Sequence, residues 1–355
     1  MYCRESISRK ISVLSFIAMV TVVCIHSDPL PLMEDLDSFC TNLSVISSML
    51  KEWAVPYFYV VSGFFFARCY MQRTYWQFMK GKVRSLIIPY LLWGGVYGTI
   101  MMLPLEMAVN KFHGDSLLFN TRIVGGVLHT LDRIFGIFYS SPYDGALWYV
   151  RMLILFFALA PIWIFVLKRC DWLLFVLGVV GVCVFMRGGD QHDILFSIGN
   201  WNFDITFSSI AWLLLGMFVA SRHLEERHCN FAILLGIIGF VINLSLSPHG
   251  CQLVQRLWAL ALLWFVWNIY DVLPTVLPEK LPHFFTLSFF CYCIHHPLTG
   301  YYGASLRFLF GRTGSASYLM QIVLIPFFTV LTGVLVGMFL KNKLPRLYNV
   351  LNGGR

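Results

Sequence analysis

Charged residues are scarce in this sequence. Asp, Glu, Lys and Arg make up 12% of its 355 residues, whereas a soluble globular domain carries about 25%. Apolar residues make up 58% of the chain, and its mean hydropathy is +0.71. This composition excludes an ordinary soluble enzyme. Because α-helices satisfy their own backbone hydrogen bonds in lipid, it predicts an all-α, polytopic integral membrane protein.

The motifs of several common catalytic sites are also missing. The chain has no CxxC pair, no HExxH sequence and no GxSxG sequence, which argues against zinc sites, zinc proteases and α/β-hydrolases. The ten cysteines lie mostly in apolar stretches and are interpreted as small hydrophobic residues. We therefore expect no metal. The net charge of +8 is spread between apolar runs, which favours membrane-topology signals over a nucleic-acid partner.

Ten apolar stretches are candidate transmembrane helices. They span approximately 11–27, 53–70, 85–107, 146–167, 172–188, 204–220, 231–247, 253–270, 283–303 and 319–340. No long linker rich in Ser, Gly or Pro separates them. We therefore expect a single domain over residues 1–355, with no appended soluble domain.

The basic residues predict how these helices are oriented. If the N-terminus is cytoplasmic, most of the 26 Lys and Arg residues fall in cytoplasmic segments. We therefore expect a multi-pass protein of the cell (inner) membrane of a bacterium, with both termini in the cytoplasm. The connection 108–145 would then lie outside, where the apolar spacing over 122–138 fits either a plain connecting helix or an amphipathic surface helix.

His26 is the first candidate functional residue. It follows an uncharged apolar run that begins at Ile11. The fifteen residues of that run rise only about 23 Å as a helix, against about 30 Å for the hydrocarbon core of a bilayer. His26 would therefore lie just inside the far boundary. An ionisable group at that depth indicates a functional site, although a histidine that merely ends the helix is an equal alternative.

A basic cluster forms the second candidate region. Lys80, Lys82 and Arg84 directly precede an apolar stretch that Pro89 interrupts. Such a cluster can hold the protein against anionic lipid headgroups or bind the phosphates of a nucleotide cofactor. Both interpretations stay open on the residues alone.

Arg151 is a charged residue near the outer end of its predicted helix. A charge at that position needs a carboxylate partner or a water-filled cavity. Glu106, Asp144 and Asp204 are the candidate partners, since all three are predicted near the outer boundary. The pairing is either purely structural or part of a catalytic site.

Three further positions are candidates for lining a site. His295 and His296 are adjacent and project about 100° apart on a helix, so we expect one to face the bundle interior and the other a neighbouring helix. Ser62 precedes Gly63 inside the second apolar stretch. A small pair there usually marks a close helix–helix contact.

Six short motifs resemble, in their order along the chain, those of the membrane-bound acyltransferase-3 family. They are VVCIH ending at His26, YVVSGFF at 59–65, KVRSLIIPY at 82–90, LWYVRMLI at 147–154, WLLLGM at 212–217 and LSFFCYCIH ending at His295. That family transfers acetyl or other acyl groups to cell-surface glycans and related acceptors. Two positions depart from its pattern: Ser15 stands where an Arg often precedes the first-helix His, and Gly81 where an Arg-x-x-Arg motif would begin.

The resemblance implies an O-acyltransferase that moves an acyl group, acetyl being expected, from cytoplasmic acyl-CoA to a hydroxyl of an extracytoplasmic or lipid-linked glycan. It implies His26 as general base or transient acyl carrier, with the Lys80, Lys82 and Arg84 cluster holding the CoA phosphates. Residues that could orient His26 or line the site are Ser62, Glu106, Asp144, Trp148, Arg151, Asp204 and His295. The alternatives are a transporter or flippase of a lipid-linked saccharide, and a non-catalytic membrane scaffold.

Overall fold

Helices dominate the structure of this chain. The computed structural model describes residues 5–70, 73–97, 144–185, 194–198, 201–205, 207–227, 229–246, 252–272 and 280–354. Within them lie fourteen α-helices: α1 Glu5–His26, α2 Ser38–Lys51, α3 Ala54–Tyr70, α4 Tyr75–Lys82, α5 Ile88–Val96, α6 Trp148–Ala158, α7 Ala160–Arg169, α8 Asp171–Phe185, α9 Phe207–Ser221, α10 Asn230–Leu246, α11 Gln252–Val272, α12 Ser288–Phe310, α13 Ser315–Lys343 and α14 Pro345–Leu351. Four short 3₁₀ turns also lie within the described residues, at Leu30–Leu32, Gly145–Leu147, Leu224–Glu226 and His283–Leu287.

One β-hairpin departs from the all-α expectation. Strand β1, Ile194–Ile198, pairs antiparallel with β2, Trp201–Ile205, with Phe196 opposite Phe203. The predicted helix 204–220 therefore begins at Phe207 instead. Residues 201–205 read WNFDI, an apolar–polar alternation of period two that is typical of a strand.

Ten membrane spans are not confirmed. Among the described residues, three helical segments are long and apolar enough to cross a bilayer: Glu5–Leu32, Leu253–Val272 and Ser315–Lys343. A bent pair, Gly145–Ala158 with Ala160–Arg169, gives a fourth if it counts as one span. Asp171–Val184, Phe207–Ser221 and Asn230–Leu246 are apolar but shorter, and helices of their length rise only about 21–26 Å.

Two prolines mark the places where helices bend or depart from α-helical hydrogen bonding. The predicted span 146–167 bends by 64° between α6 and α7, where Pro161 lacks an N–H and its ring crowds the carbonyl four residues earlier. A π-helical segment, Val83–Ile87, joins α4 to α5 just before Pro89. The amide of Ile88 donates to the carbonyl of Val83, five residues back. Arg84 therefore lies on irregular helix, a feature often found at functional sites.

The chain divides into two units. The first comprises Met1–Thr74, Pro161–Gln191 and Phe207–Met338, and the second Tyr75–Ala160, His192–Thr206 and Phe339–Arg355. The single-domain expectation stays a prediction.

Close helix contacts organise the first unit. A Cβ at Gly63 on α3 would collide with the backbone of Leu213 on α9, and one at Gly216 with the backbone of Val60. The Ser62–Gly63 pair thus marks a close helix–helix contact, as the sequence predicts. Helix α1 packs against α12 and α3, which places the end of α1 beside the histidines of α12.

The second unit joins distant parts of the sequence. Helix α4 and the π-helical segment pack against α6, and α14 packs against α5. Trp93 Nε1 donates to the carbonyl of Leu351 at 3.1 Å. Gly353 adopts φ +69°, and a Cβ there would collide with the backbone of Ser85. The C-terminal residues described are therefore in contact with the segment that carries Arg84.

Candidate active site

The last turn of α1 positions His26. Ser27 Oγ donates to the carbonyl of Val23 at 2.6 Å, and Lys51 Nζ donates to the carbonyl of Cys24 at 3.2 Å. These bonds satisfy two of the carbonyls that a helix end leaves without a partner. Val22 and Val23 are buried, whereas the His26 side chain is exposed. The helix end is fixed, and its imidazole remains accessible.

Both histidines of α12 lie against His26. The ring centroid of His26 is 5.2 Å from that of His295 and 5.8 Å from that of His296. His295 is 1% exposed and His296 is half-buried. Their side chains diverge on α12, but the end of α1 lies between the two directions. His296, a candidate that was named from the sequence without an assigned role, therefore lies against His26 together with His295.

The hydrogen bond of His295 defines its tautomer. Its Nδ1 lies 2.5 Å from the carbonyl oxygen of Tyr292. A carbonyl can only accept, so Nδ1 carries the proton and Nε2 presents a lone pair. Nε2 is buried and has no hydrogen-bond partner among the described residues. A buried acceptor of this kind, beside an accessible imidazole, can orient that imidazole by accepting its N–H.

A cavity of about 200 Å³ extends from His26. Its polar lining comprises His26, Ser27, Asp28, His296, Thr299 and Arg307. The carboxylate of Asp28 accepts from the amide of Leu30 at 3.0 Å and from Ser44 Oγ at 2.8 Å. Asp28 is therefore held by its neighbours, so both of its carboxylate oxygens already accept hydrogen bonds.

The rim of this cavity is fixed by backbone contacts. The amide of Glu34 donates to the carbonyl of Arg312 at 2.8 Å, and the amide of Gly314 donates to the carbonyl of Glu34 at 3.2 Å. Gln321, fully buried, donates from Nε2 to the carbonyl of Gly311 at 3.1 Å. The connection after α1 is thus tied to the loop between α12 and α13.

The basic cluster lies in the second unit. Lys80 and Arg84 are exposed. Lys82 is half-buried, with its ammonium 4.2 Å from the ring centroid of Phe157 and 5.1 Å from that of Phe78. A cation over two aromatic faces is already stabilised. Lys80 and Arg84 are therefore the members of the cluster whose charges are presented to solvent.

A family model described as an acyltransferase domain matches residues 9–342. The chain belongs to the acyltransferase-3 family. It is also similar to "Succinoglycan biosynthesis protein ExoH" of Rhizobium meliloti (strain 1021), with 21% identity over 362 residues that cover 99% of this chain and 93% of that protein. No solved structure matches the chain. The resemblance read from the six motifs is thereby confirmed at the level of the family.

This acyltransferase-3 chain carries Ser15 where the family often has an Arg. Ser15 Oγ lies 3.5 Å from the hydroxyl of Tyr57, which donates to the carbonyl of Ile11 at 3.0 Å. A basic residue is nonetheless buried one turn and a half earlier on α1. Lys10 Nζ lies 2.7 Å from Asp271 Oδ2 and 4.1 Å from the ring centroid of Trp267. This ion pair joins a buried lysine to an exposed carboxylate and was not predicted from the sequence.

Asp144 has a local structural role. Its Oδ1 accepts from the amide of Ala146 at 3.2 Å, which caps the turn that leads into α6. Burial raises the pKa of Asp144 to about 7. Trp148 and Arg151 are half-buried on α6. These three residues lie in the second unit, and His26 lies in the first.

The remaining predicted site residues fall into two groups. Ser62 is half-buried on α3, next to the contact that Gly63 makes with α9. Glu106 and the predicted helix at 122–138 lie outside the described residues, as does the side chain of Asp204, whose backbone belongs to β2. Their proposed roles stay predictions.

One group of potential metal ligands occurs among the described residues. Ligand atoms of His223, Glu225 and Glu226 lie within 4.8 Å of one another. Arg68 pairs with Glu225 and has Nη2 2.9 Å from His223 Nδ1. A guanidinium cation therefore occupies the position that a metal ion would need.

Arg307 and two glycines of the cavity lining were not recognised from the sequence, and His296 was named there without an assigned role. His296, Gly300, Gly303 and Arg307 follow one another at intervals of four, three and four residues. That spacing places them on one face of a helix, and all four line the cavity. The signal was therefore present in the sequence, as a polar stripe with two glycines in its middle.

Proposed function

We propose that this protein is a membrane O-acyltransferase that moves an acyl group, expected to be acetyl, from cytoplasmic acyl-CoA to a hydroxyl of an extracytoplasmic or lipid-linked glycan. One observation carries the proposal. His26 ends α1 beside His295 and His296 and lines a cavity of about 200 Å³. Family membership supports acyl transfer, and the name of the ExoH relative, which refers to succinoglycan biosynthesis, supports a glycan acceptor.

In the first route, His26 acts as a general base. Its unprotonated ring nitrogen takes the proton of the acceptor hydroxyl while the hydroxyl oxygen attacks the thioester carbonyl carbon. The tetrahedral intermediate then collapses, the C–S bond breaks, and the imidazolium returns its proton to the departing CoA sulfur. The products are the glycan ester and free CoA thiol, so no other reactant is required.

His295 is the proposed orienting residue in this route. Its buried Nε2 lone pair lies on a ring 5.2 Å, centroid to centroid, from that of His26. Accepting the N–H of His26 would direct the other His26 nitrogen towards the acceptor. This assignment selects His295 from the residues that the sequence offered for orienting His26 or lining the site.

A second route passes through His26 as a transient acyl carrier. Its nitrogen attacks the thioester carbonyl, CoA leaves as the thiolate and takes up the imidazole proton, and the acyl-imidazole then transfers its acyl group to the acceptor hydroxyl. The two routes differ in one observable. Only the second forms an acyl-protein adduct when acyl-CoA is supplied without acceptor, which mass spectrometry of the intact protein detects.

Lys80 and Arg84 are the proposed contacts to the CoA phosphates. They are four residues apart, so they lie near one another along the helix surface, and both are exposed. Lys82 contributes mainly through its contact with Phe157. The proposed topology places both termini and this cluster in the cytoplasm of a bacterial cell, with the His26 cavity facing outside.

The decisive experiment replaces His26 in the purified protein in lipid nanodiscs. His26→Ala should lower the rate of acyl transfer from acetyl-CoA by about 10²–10⁴-fold, the usual contribution of a general base, without loss of the folded protein. His283→Ala is the matched control, because His283 is exposed on a 3₁₀ turn. Transfer by His26→Ala at the wild-type rate would contradict the proposal, and a wild type without acyl-CoA-dependent activity would favour a transporter or flippase.

A further inference from the structure

Arg307 is the charged residue at the end of the polar stripe on α12. It is half-buried and lines the same cavity as His26. Within the part of the chain that the structure describes, its guanidinium makes no hydrogen bond and no ion pair. A guanidinium group that lines a cavity and has no protein partner is suited to bind a carboxylate of a ligand.

The position of the guanidinium is defined by Gly303. A Cβ at Gly303 would lie 3.0 Å from Arg307 Nη1 and 3.5 Å from Nη2. The arginine therefore folds back over Gly303, as helical side chains generally point towards the N-terminus. Gly300, one turn nearer to His296, has no atom of another described residue within 4 Å of a Cβ position. The two glycines leave an open floor between the guanidinium and His296.

One carboxylate and one guanidinium line the cavity. The carboxylate of Asp28 is held by Leu30 and Ser44. Arg307 feels a second positive charge from Arg312. An anionic ligand is therefore attracted to Arg307.

The length of this arrangement sets what a bound ligand must span. From His296 to Gly303 the helix advances about 10 Å. Contacts to protein atoms take up about 3 Å at each end, which leaves about 4 Å for the ligand itself. A four-carbon dicarboxylic acyl group has that length, and a carboxylate and a hydroxyl on a glycan can have it too, so the experiment below separates the acceptor from the donor.

We propose that Arg307, with the floor formed by Gly300 and Gly303, is an acceptor subsite for a carboxylate-bearing glycan, whose carboxylate binds Arg307 while one of its hydroxyls meets His26. This inference rests on the proposed acyl transfer and specifies its acceptor as an anionic sugar chain. Arg307 is a specificity-determining residue in this assignment and takes no part in bond making.

The test uses the native acceptor in two forms. Surface glycan from cells that lack this gene is divided, and the carboxyl groups of one portion are reduced to alcohols. Transfer from acetyl-CoA by the purified protein in nanodiscs is measured on both portions. The wild type should prefer the carboxylate form by about 10- to 100-fold in kcat/KM, the usual effect of losing a hydrogen bond to a charged group.

Arg307→Gln should remove that preference and leave transfer to the reduced glycan unchanged. Arg307→Lys should restore part of it. Arg169→Gln is the matched control, because Arg169 is exposed on α7 and does not line the cavity. Equal use of both glycans by the wild type would overturn the subsite but not acyl transfer. An equal loss on both glycans in Arg307→Gln would also overturn it, because that loss indicates a structural role.

A second arm tests the donor as the source of the carboxylate. With the reduced glycan as acceptor, Arg307→Gln should use acetyl-CoA and succinyl-CoA in the wild-type ratio. A selective loss of succinyl transfer would overturn the acceptor assignment and place the acyl carboxylate on Arg307. No transfer to either glycan by the wild type would overturn the proposed function and the subsite together.

Discussion

The His26 cavity and the basic cluster at Lys80–Arg84 concentrate charge in two different ways. In the cavity, ionisable side chains converge from α1 and α12, more than 260 residues apart in sequence, and one of them is 1% exposed. In the basic cluster, the cations follow one another along a single helix, and two of the three are exposed. The first arrangement exists only in the folded protein, whereas the second is visible in the sequence.

This difference teaches where specificity and affinity should lie. Groups removed from water interact strongly and with defined geometry, so changes in the cavity should alter rates. Water and salt screen the charges of exposed cations. Changes in the basic cluster should therefore alter binding affinity by an amount that depends on the salt concentration. Each region can therefore be perturbed with a distinct readout.

The largest expected effect after the loss of His26 concerns His295. An Asn at 295 can still donate to the carbonyl of Tyr292 but cannot supply the acceptor at the position of Nε2, whereas the longer Gln can supply it. His295→Asn should therefore lower kcat by about 100-fold, whereas His295→Gln should lower kcat by only about tenfold. The KM for acyl-CoA should stay constant. A lower kcat in His295→Gln than in His295→Asn would show that Nε2 does not orient His26.

The next effect concerns the packing of the unit that carries the cavity. Gly63→Ala should destabilise the protein by about 1–3 kcal/mol, the usual cost of overpacking, because its methyl group collides with the backbone of Leu213. Gly300→Ala is the matched control, since its methyl group enters open space. Thermal unfolding in detergent measures both. Equal midpoints for the two variants would contradict the close contact between α3 and α9.

The smallest effect is expected in the basic cluster. The double variant Lys80→Gln, Arg84→Gln should weaken acyl-CoA binding by about tenfold at low salt, through loss of charge-assisted bonds to phosphate. The difference should shrink as salt is raised. Lys82→Gln should have a smaller effect because its ammonium rests on Phe157. Calorimetric titration with acetyl-CoA decides, and unchanged affinity in the double variant would assign the cluster to lipid headgroups.

Much of the fold and part of the site could be predicted from local sequence patterns. The apolar run before His26, the Pro89 interruption and the Ser62–Gly63 contact each depend on residues a few positions apart, and all three have structural counterparts. The family followed from motifs that are equally local. Such features need no knowledge of tertiary contacts.

The errors arose where distant segments decide the outcome. His295 and His296 diverge on their own helix, and only the packing of α1 against α12 brings both rings to His26. The strand at 201–205 exists because a partner strand precedes it. The ten predicted spans are not confirmed, because several apolar helices among the described residues are shorter than a single membrane-crossing helix.

The contact between Gly353 and Ser85 has a practical consequence for genetics. Residues near the end of the described chain lie against the backbone that presents Arg84, and Leu351 supplies the acceptor for Trp93. Removing those residues would disturb the segment next to Arg84 without changing any cation of the basic cluster. A nonsense or frameshift allele near codon 350 would then resemble a loss of acyl-CoA binding. Comparison with missense variants at Lys80 and Arg84 would distinguish loss of the C-terminal contact from loss of the cations.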